Sequence, residues 1–375
     1  LQRVSKKYTV HILSLTSNQN LIDMRRMFVL PLFALIFSLS SHGQQQTDLS
    51  SQFNQLRHRL DIQDKTIDDL LWYQKLGDIA DIDKVYIVGP PPAKVSKPEK
   101  TGTTNPVKFW TYVFAPKNMV KGKKYPLIVL PHGGVHADFT TYYAHIVREM
   151  IAQGYIVAAP EYRGSTGYGE ALYKQIDYGG LENDDVLAAR NHLVENYPFV
   201  DGRRVGIVGW SHGGMIALMN IFDYPDAYQV AFAGVPVSDL IARMGYATDE
   251  YRRLFDGDHH IGATARDNVQ EYRRRSPAWQ AHKLQTPLLI HTTTNDDDVY
   301  VIEVEHLIKS LKAEGKKFDY EIFQEAPGGH SFDRMDTPYA WNARLKIYKH
   351  LARQLKPDNP IENVEQLKRA AYRGM

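Results

Sequence analysis

From residue 107 onward, short apolar runs alternate with longer stretches whose apolar positions recur at helical spacing. This rhythm predicts strands over 107–114, 127–130, 155–159, 205–208, 230–235, 287–290 and 318–323. It predicts helices over about 138–153, 182–195, 301–314 and 339–355, and one more beginning at Ser211. Strands that are apolar throughout are covered on both faces, so the pattern describes an α/β fold with a mostly parallel central sheet and helices on both sides. Upstream, Leu49, Phe53, Leu56, Leu60, Ile67, Leu70 and Leu71 stand among charges at near-helical intervals, which predicts one or two amphipathic surface helices over 48–76. A strand is expected at 84–88 and a loop over 90–104, opened by Pro90-Pro91-Pro92. The polar residues 356–375 read as a loose tail. The resulting organisation is an N-terminal extension (44–104), a main domain (105–355) and the tail.

Residues 1–43 follow a different pattern. Met24-Arg25-Arg26 precedes an apolar run over 27–37 and then small residues up to Gly43. A basic start, a short apolar centre and a small-residue end describe a secretory signal, and the run is too short for a stable membrane span. The expectation is initiation at Met24, with residues 1–23 as upstream reading frame, cleavage near Gly43, and a periplasmic or secreted product.

Charge adds one exclusion. The formal net charge is +2, yet residues 1–43 hold five Lys or Arg against the single acid Asp23. The 40 basic and 42 acidic residues that remain leave a body of net charge −2, without the basic field that nucleic-acid binding requires. The chain has no cysteine, which excludes disulfides, thiolate catalysis and Cys-ligated zinc.

Gly209-Trp210-Ser211-His212-Gly213 fits G-x-S-x-G between an expected strand and an expected helix. In that context the pattern marks a strained turn that presents a nucleophilic serine, and it identifies the fold as an α/β-hydrolase. Arg163-Gly164-Ser165-Thr166-Gly167 lacks the first glycine, so Ser165 is read as a loop residue. In this fold the acid and then the histidine follow the serine along the chain. The loop after strand 287–290 carries Asn295-Asp296-Asp297-Asp298, and the loop after strand 318–323 carries Gly328-Gly329-His330. The expected triad is Ser211, an acid from the Asp296-Asp297-Asp298 run and His330, with His330 taking the serine proton. Pro131-His132-Gly133-Gly134 is expected to turn backbone N–H toward an oxyanion, beside the N–H of His212. His259 and His260 lie in a polar insertion and are expected to be exposed. His132, His136 and Asp138 have only loop spacing to recommend them as metal ligands, and the Asp run lacks the EF-hand spacing, so no metal and no cofactor is expected.

At these residues the chain resembles the prolyl oligopeptidase family of serine peptidases. The resemblance covers roughly 105–355 and is carried by Pro131-His132-Gly133-Gly134, by Tyr162-Arg163-Gly164-Ser165-Thr166-Gly167-Tyr168-Gly169, by the Ser211 elbow, by Pro236-Val237-Ser238-Asp239, by the Asp loop and by Gly329-His330. It implies Asp296 as the acid, three residues before Val299. It implies His132 at the position of an oxyanion side chain, and Trp210, Tyr246 and Tyr251 as aromatics facing the substrate. The chain departs from the family at Val135, where Pro is usual, and in residues 44–104, too few for the β-propeller that members commonly carry. The expected function is a secreted serine peptidase acting on short peptides through an acyl-enzyme. A carboxylesterase acting on small esters and a non-catalytic binding protein are the alternatives, and homo-oligomerisation is left open.

Overall fold

Successive side chains of a strand point to opposite faces, so a strand apolar at every position needs a core on both sides. The computed structural model describes residues 49–92, 105–257 and 260–372. It separates residues 1–57 from residues 58–375. In the first unit the described residues 49–57 are helical. The export signal at 24–43, most of the 90–104 loop and His259 lie outside the described residues.

The second unit opens with helix α1 (58–76 within this unit). There follow β1 (Ala80–Val88), β2 (Lys108–Pro116), β3 (Tyr125–Val129), α2 (Ala144–Gln153), β4 (Ile156–Pro160), α3 (Glu170–Tyr173), α4 (Leu181–Asn196) and β5 (Val200–Trp210). Next come α5 (His212–Asp223), β6 (Val230–Gly234), α6 (Leu240–Tyr246), α7 (Asp249–Asp256), α8 (Val269–Arg274), β7 (Leu288–Thr293), α9 (Val301–Ala313), β8 (Asp319–Phe323), α10 (Pro338–Leu355) and α11 (Val364–Ala371). The strands form one sheet in the order β1-β2-β4-β3-β5-β6-β7-β8. β2 pairs antiparallel with both neighbours, and every pair from β4 to β8 is parallel. All described strands belong to this sheet, so no propeller blade occurs among the described residues.

Period-two alternation sends Val113, Leu127, Val129, Ile156, Ala158 and Ile207 to one core, shared with Val186, Leu193, Ile216, Leu218, Val304 and Leu307 from α4, α5 and α9. Tyr112, Phe114, Ile128, Val157 and Val208 face the other core, with Trp72 and Leu76 of α1, Ile146 and Met150 of α2, and Ile347 and Leu351 of α10. This is the two-sided, mostly parallel arrangement expected from the alternation, and the α/β-hydrolase fold expected from the Ser211 elbow.

The structure differs from the sequence reading in three places. β1 begins at Ala80 and pairs along its whole length with β2, so the segment before residue 105 supplies the sheet's edge strand. The helix expected from 138 begins at Ala144, after a single 3-10 turn over Thr141–Tyr143. Residues 364–371, expected to be part of a loose tail, form α11, capped by the Asn363 side chain accepting from the Gln366 N–H at 3.0 Å. Its Leu367 is fully buried against the core that α2 and α10 share. The charges of Glu365, Lys368 and Arg369 around Leu367 hid that apolar position. Leu367→Ala should therefore lower the unfolding free energy by about 2–4 kcal/mol in urea denaturation. A loss below about 0.5 kcal/mol would place α11 outside the cooperative unit.

Candidate active site

β5 ends at Trp210, and the chain turns into α5 through Ser211 at φ 59° and ψ −124°, a left-handed conformation that costs a non-glycine residue about 1–3 kcal/mol. Three bonds hold it there. The Ser211 N–H donates to the Gly234 carbonyl (2.9 Å), and the Ser211 carbonyl accepts from the N–H groups of Met215 (3.0 Å) and Val237 (3.2 Å). The motif's glycines are sterically required. A Cβ on Gly209 would stand 2.1 Å from the Gly213 carbonyl oxygen, and one on Gly213 would stand 2.3 Å from that of Pro131. Ser211 thus sits at the start of α5, where the first N–H groups have no helical partner.

β7 and β8 end on the same edge of the sheet. After β7, Asp296 is 5% exposed, and its Oδ1 accepts from the N–H groups of Asp298 (3.0 Å) and Val299 (2.9 Å). After β8, Gly328 and Gly329 adopt positive φ and lead into a 3-10 turn carrying His330. His330 Nδ1 donates to the Asp296 carboxylate at 2.8 Å. Asp297 makes no such bond among those described, and Asp298 is half-exposed, its carboxylate 3.7 Å from His330 Nε2 and 2.9 Å from Arg243 Nη2.

The third strand end, β3, leads into 131–139. Gly133 abuts the elbow, since a Cβ there would lie 3.3 Å from that of Ser211. The His132 ring, expected near an oxyanion, is instead committed inside the protein. It is 1% exposed, stacks on Tyr162, has Nε2 2.9 Å from Ser165 Oγ, and lies 3.4 Å from Glu161. Ser165 is the loop residue expected of it, fully buried and donating to the Tyr162 carbonyl (2.7 Å). The His212 side chain is equally committed. Its Nδ1 donates to the Gly134 carbonyl (2.8 Å) and its Nε2 lies 3.1 Å from Glu182. Both rings are thus taken up by partners inside the protein.

Trp210, expected to face a substrate, is a core residue. It is 2% exposed, packs edge-on against Phe232, and donates from Nε1 to Asp333 at 2.8 Å. Tyr246 and Tyr251 do line a pocket of about 380 Å³, together with Arg243, Ala247, Thr248, Asp297, Asp298 and Tyr300. Cavities of about 540 and 720 Å³ lie elsewhere, lined by residues such as Trp110 and Leu172, or Arg148 and Asp358. The smaller one matters here because Asp298 borders both it and His330. Tyr246 stacks on Tyr300 at 4.0 Å, and Arg243 donates to the hydroxyls of Tyr246 (3.0 Å) and Tyr251 (2.9 Å) and to Glu303 (3.1 Å). Sequence reasoning missed Arg243, although its place one turn before Tyr246 on α6 was a usable signal. It also missed Glu182, Glu161 and Asp333, which no motif marks.

His260, expected to be exposed, is 1% exposed, with its ring 5.8 Å from that of Phe255. His136 stacks on Tyr173 and its Nδ1 donates to the Gly164 carbonyl, while Asp138 pairs with Lys65. No group of three or more His, Cys, Asp or Glu able to hold a metal occurs among the described residues. No helix among them is long and apolar enough to cross a membrane.

Known proteins share sequence and fold with this chain. The model of the prolyl oligopeptidase family matches residues 141–357. The uncharacterised peptidase YuxL of Bacillus subtilis is 30% identical over 229 residues, covering 60% of this chain and 34% of that protein. The acylamino-acid-releasing enzyme of Arabidopsis thaliana is 28% identical over 255 residues, covering 66% and 33%. Among solved structures, the acylaminoacyl peptidase of Pyrococcus horikoshii superposes with a TM-score of 0.62 at 20% identity, covering 77% of this chain and 44% of that one. The chain thus spans about a third of the length of these curated relatives.

The core role of Trp210 makes a direct prediction. Asp333 is fully buried, and burial pushes its carboxyl above the usual range although Arg334 opposes this. Trp210→Phe removes the indole donor and should lower the unfolding free energy by about 1–3 kcal/mol in urea denaturation. An unchanged midpoint would show the bond to be dispensable.

Proposed function

Because this chain belongs to the prolyl oligopeptidase family, we propose that it is a serine peptidase cleaving short peptides through an acyl-enzyme, with Ser211, His330 and Asp296 as its triad. The observation that carries the reading is the His330 Nδ1–Asp296 bond, formed on the sheet edge where the Ser211 elbow also lies. In this mechanism Ser211 Oγ attacks the scissile carbonyl carbon while its proton passes to His330 Nε2. The C=O π pair moves onto oxygen, where the backbone N–H groups of Gly133 and His212 receive the charge. Asp296 keeps the proton on Nδ1, so that Nε2 is the basic nitrogen, and it stabilises the imidazolium that forms. Collapse breaks the C–N bond, the departing amine takes the proton from Nε2, and water then releases the acyl group by the same steps in reverse. The Tyr246–Tyr251–Tyr300 pocket beside Asp298 is the proposed seat of the substrate side chain adjoining the scissile bond. The ring faces that its three tyrosines offer to a side chain support that role.

Ser211→Ala should fold normally, lose labelling by a fluorophosphonate probe, and lose turnover by about 10⁴-fold or more. Asp296→Asn should cost orders of magnitude through the wrong histidine tautomer, and Asp298→Asn no more than about tenfold. Retained turnover in Ser211→Ala overturns the reading, and equal losses at 296 and 298 overturn the choice of acid.

Export is proposed on the sequence of residues 24–43 alone. Mass spectrometry of the native protein should find a chain starting near Gln44. An intact 24–43 segment on the secreted or periplasmic protein would contradict it.

A further inference from the structure

α1 lies ahead of the stretch that matches the family model, yet it sends a cation into the middle of the site's supporting layer. Lys65 is 3% exposed. Its Nζ donates to the Phe139 carbonyl (2.5 Å) and pairs with Glu161 (2.6 Å) and Asp138 (3.1 Å). Glu161 is fully buried and carries the connection onward. Its carboxylate accepts from the Phe139 N–H (3.2 and 3.1 Å) and from the Tyr168 hydroxyl (3.1 Å), and it lies 3.4 Å from His132 Nε2. Lys65 therefore ties together both ends of the 132–139 loop, whose Gly133 abuts Ser211. The approach is close: a Cβ on Gly167 would fall 2.7 Å from that of Lys65. The next turns of α1 grip the same segment. Asp68 accepts from the N–H (3.1 Å) and hydroxyl (2.6 Å) of Thr141, and Trp72 stacks on Phe139 at 5.3 Å.

We propose that Lys65 is a positioning residue for the reaction, fixing through Glu161 the loop whose Gly133 N–H receives the oxyanion. The proposal rests on the serine-hydrolase reading above. Donors that must meet a developing charge are effective only when held in place beforehand, so loosening this loop slows the chemical step more than it weakens ground-state binding. Removing Lys65 alone also strands a buried carboxylate, which is a structural penalty. Lys65→Met paired with Glu161→Gln removes that penalty and leaves the missing tie.

The test uses 4-nitrophenyl acetate turnover, fluorophosphonate labelling rate and thermal midpoint, measured on the full chain. Lys65→Met should lower kcat and the labelling rate by about 10- to 100-fold, with KM within about threefold. The double variant should recover the thermal midpoint but not kcat. The pH profile adds a readout that a purely structural role would not move. The groups facing Glu161 are Lys65 from α1, Tyr112 from β2, His132 and Asp138 from the loop, and Tyr168. Burial alone would raise the Glu161 carboxyl, but Lys65 and His132 hold it down at about 2. Without Lys65 it takes up a proton at higher pH, so the acid limb of Lys65→Met should move upward and return in the double variant. Wild-type kcat in the double variant, or an effect on KM alone, overturns the proposal. A wild-type protein that neither labels nor turns over overturns the serine-hydrolase reading instead, and this inference with it.

Discussion

The constraint on which the site depends is a close approach between two backbones. Where β5 passes into α5, the Gly213 Cα faces the Pro131 carbonyl so closely that a side chain could not be placed between them. That contact brings the loop after β3 against the elbow after β5 and puts Ser211 beside Gly133. At that turn Ser211 holds a left-handed conformation that is costly for a residue other than glycine. The strain persists because the surrounding structure over-determines it. β6 supplies the carbonyl that holds the Ser211 N–H, and α5 is buried over nearly its whole length.

A second layer of buried ion pairs turns this contact into a defined site. Arg163 meets Asp185 through two nitrogens and also donates to the carbonyls of Pro90 and Pro91, which anchors the segment over 162–169. Arg344 pairs with Glu149, joining α10 to α2, and donates to the carbonyls of Asp333 and Met335 in the segment after His330. Such pairs add little net stability over apolar packing, but breaking one strands a buried charge, so each specifies a single arrangement of its loops. Three of them, counting Lys65 with Glu161, bear on loops around one serine. That placement suits a site whose oxyanion donors must be rigid before substrate arrives.

Legibility in the sequence followed periodicity. The central strands β3, β4 and β6 could be read because being buried on both faces makes them continuously apolar, and the helices of 182–195, 301–314 and 339–355 because their apolar stripes are regular. The elbow could be read because its steric demand admits little but glycine on either side. α11 could not, since one buried leucine among charges carries no periodic signal. Trp210 and His260 were misplaced for a related reason. An aromatic beside a nucleophile and a histidine in a polar insertion look accessible along the chain, and only packing from distant segments buries them.

What the sequence by itself determined was therefore everything local: the alternation that builds the sheet, the strand-to-helix context of Ser211, and the order in which an acid and a histidine follow it. Spacing along the chain left three consecutive aspartates open, with only the family resemblance pointing to Asp296, and the bond to His330 is made by the way the ends of β7 and β8 sit side by side. Tertiary structure also decided that the rings of His132 and His212 turn into the protein, and that a lysine from α1 reaches the loop beside the serine. Each of these is a contact between residues far apart in the chain, governed by distance and burial that no spacing along the sequence encodes.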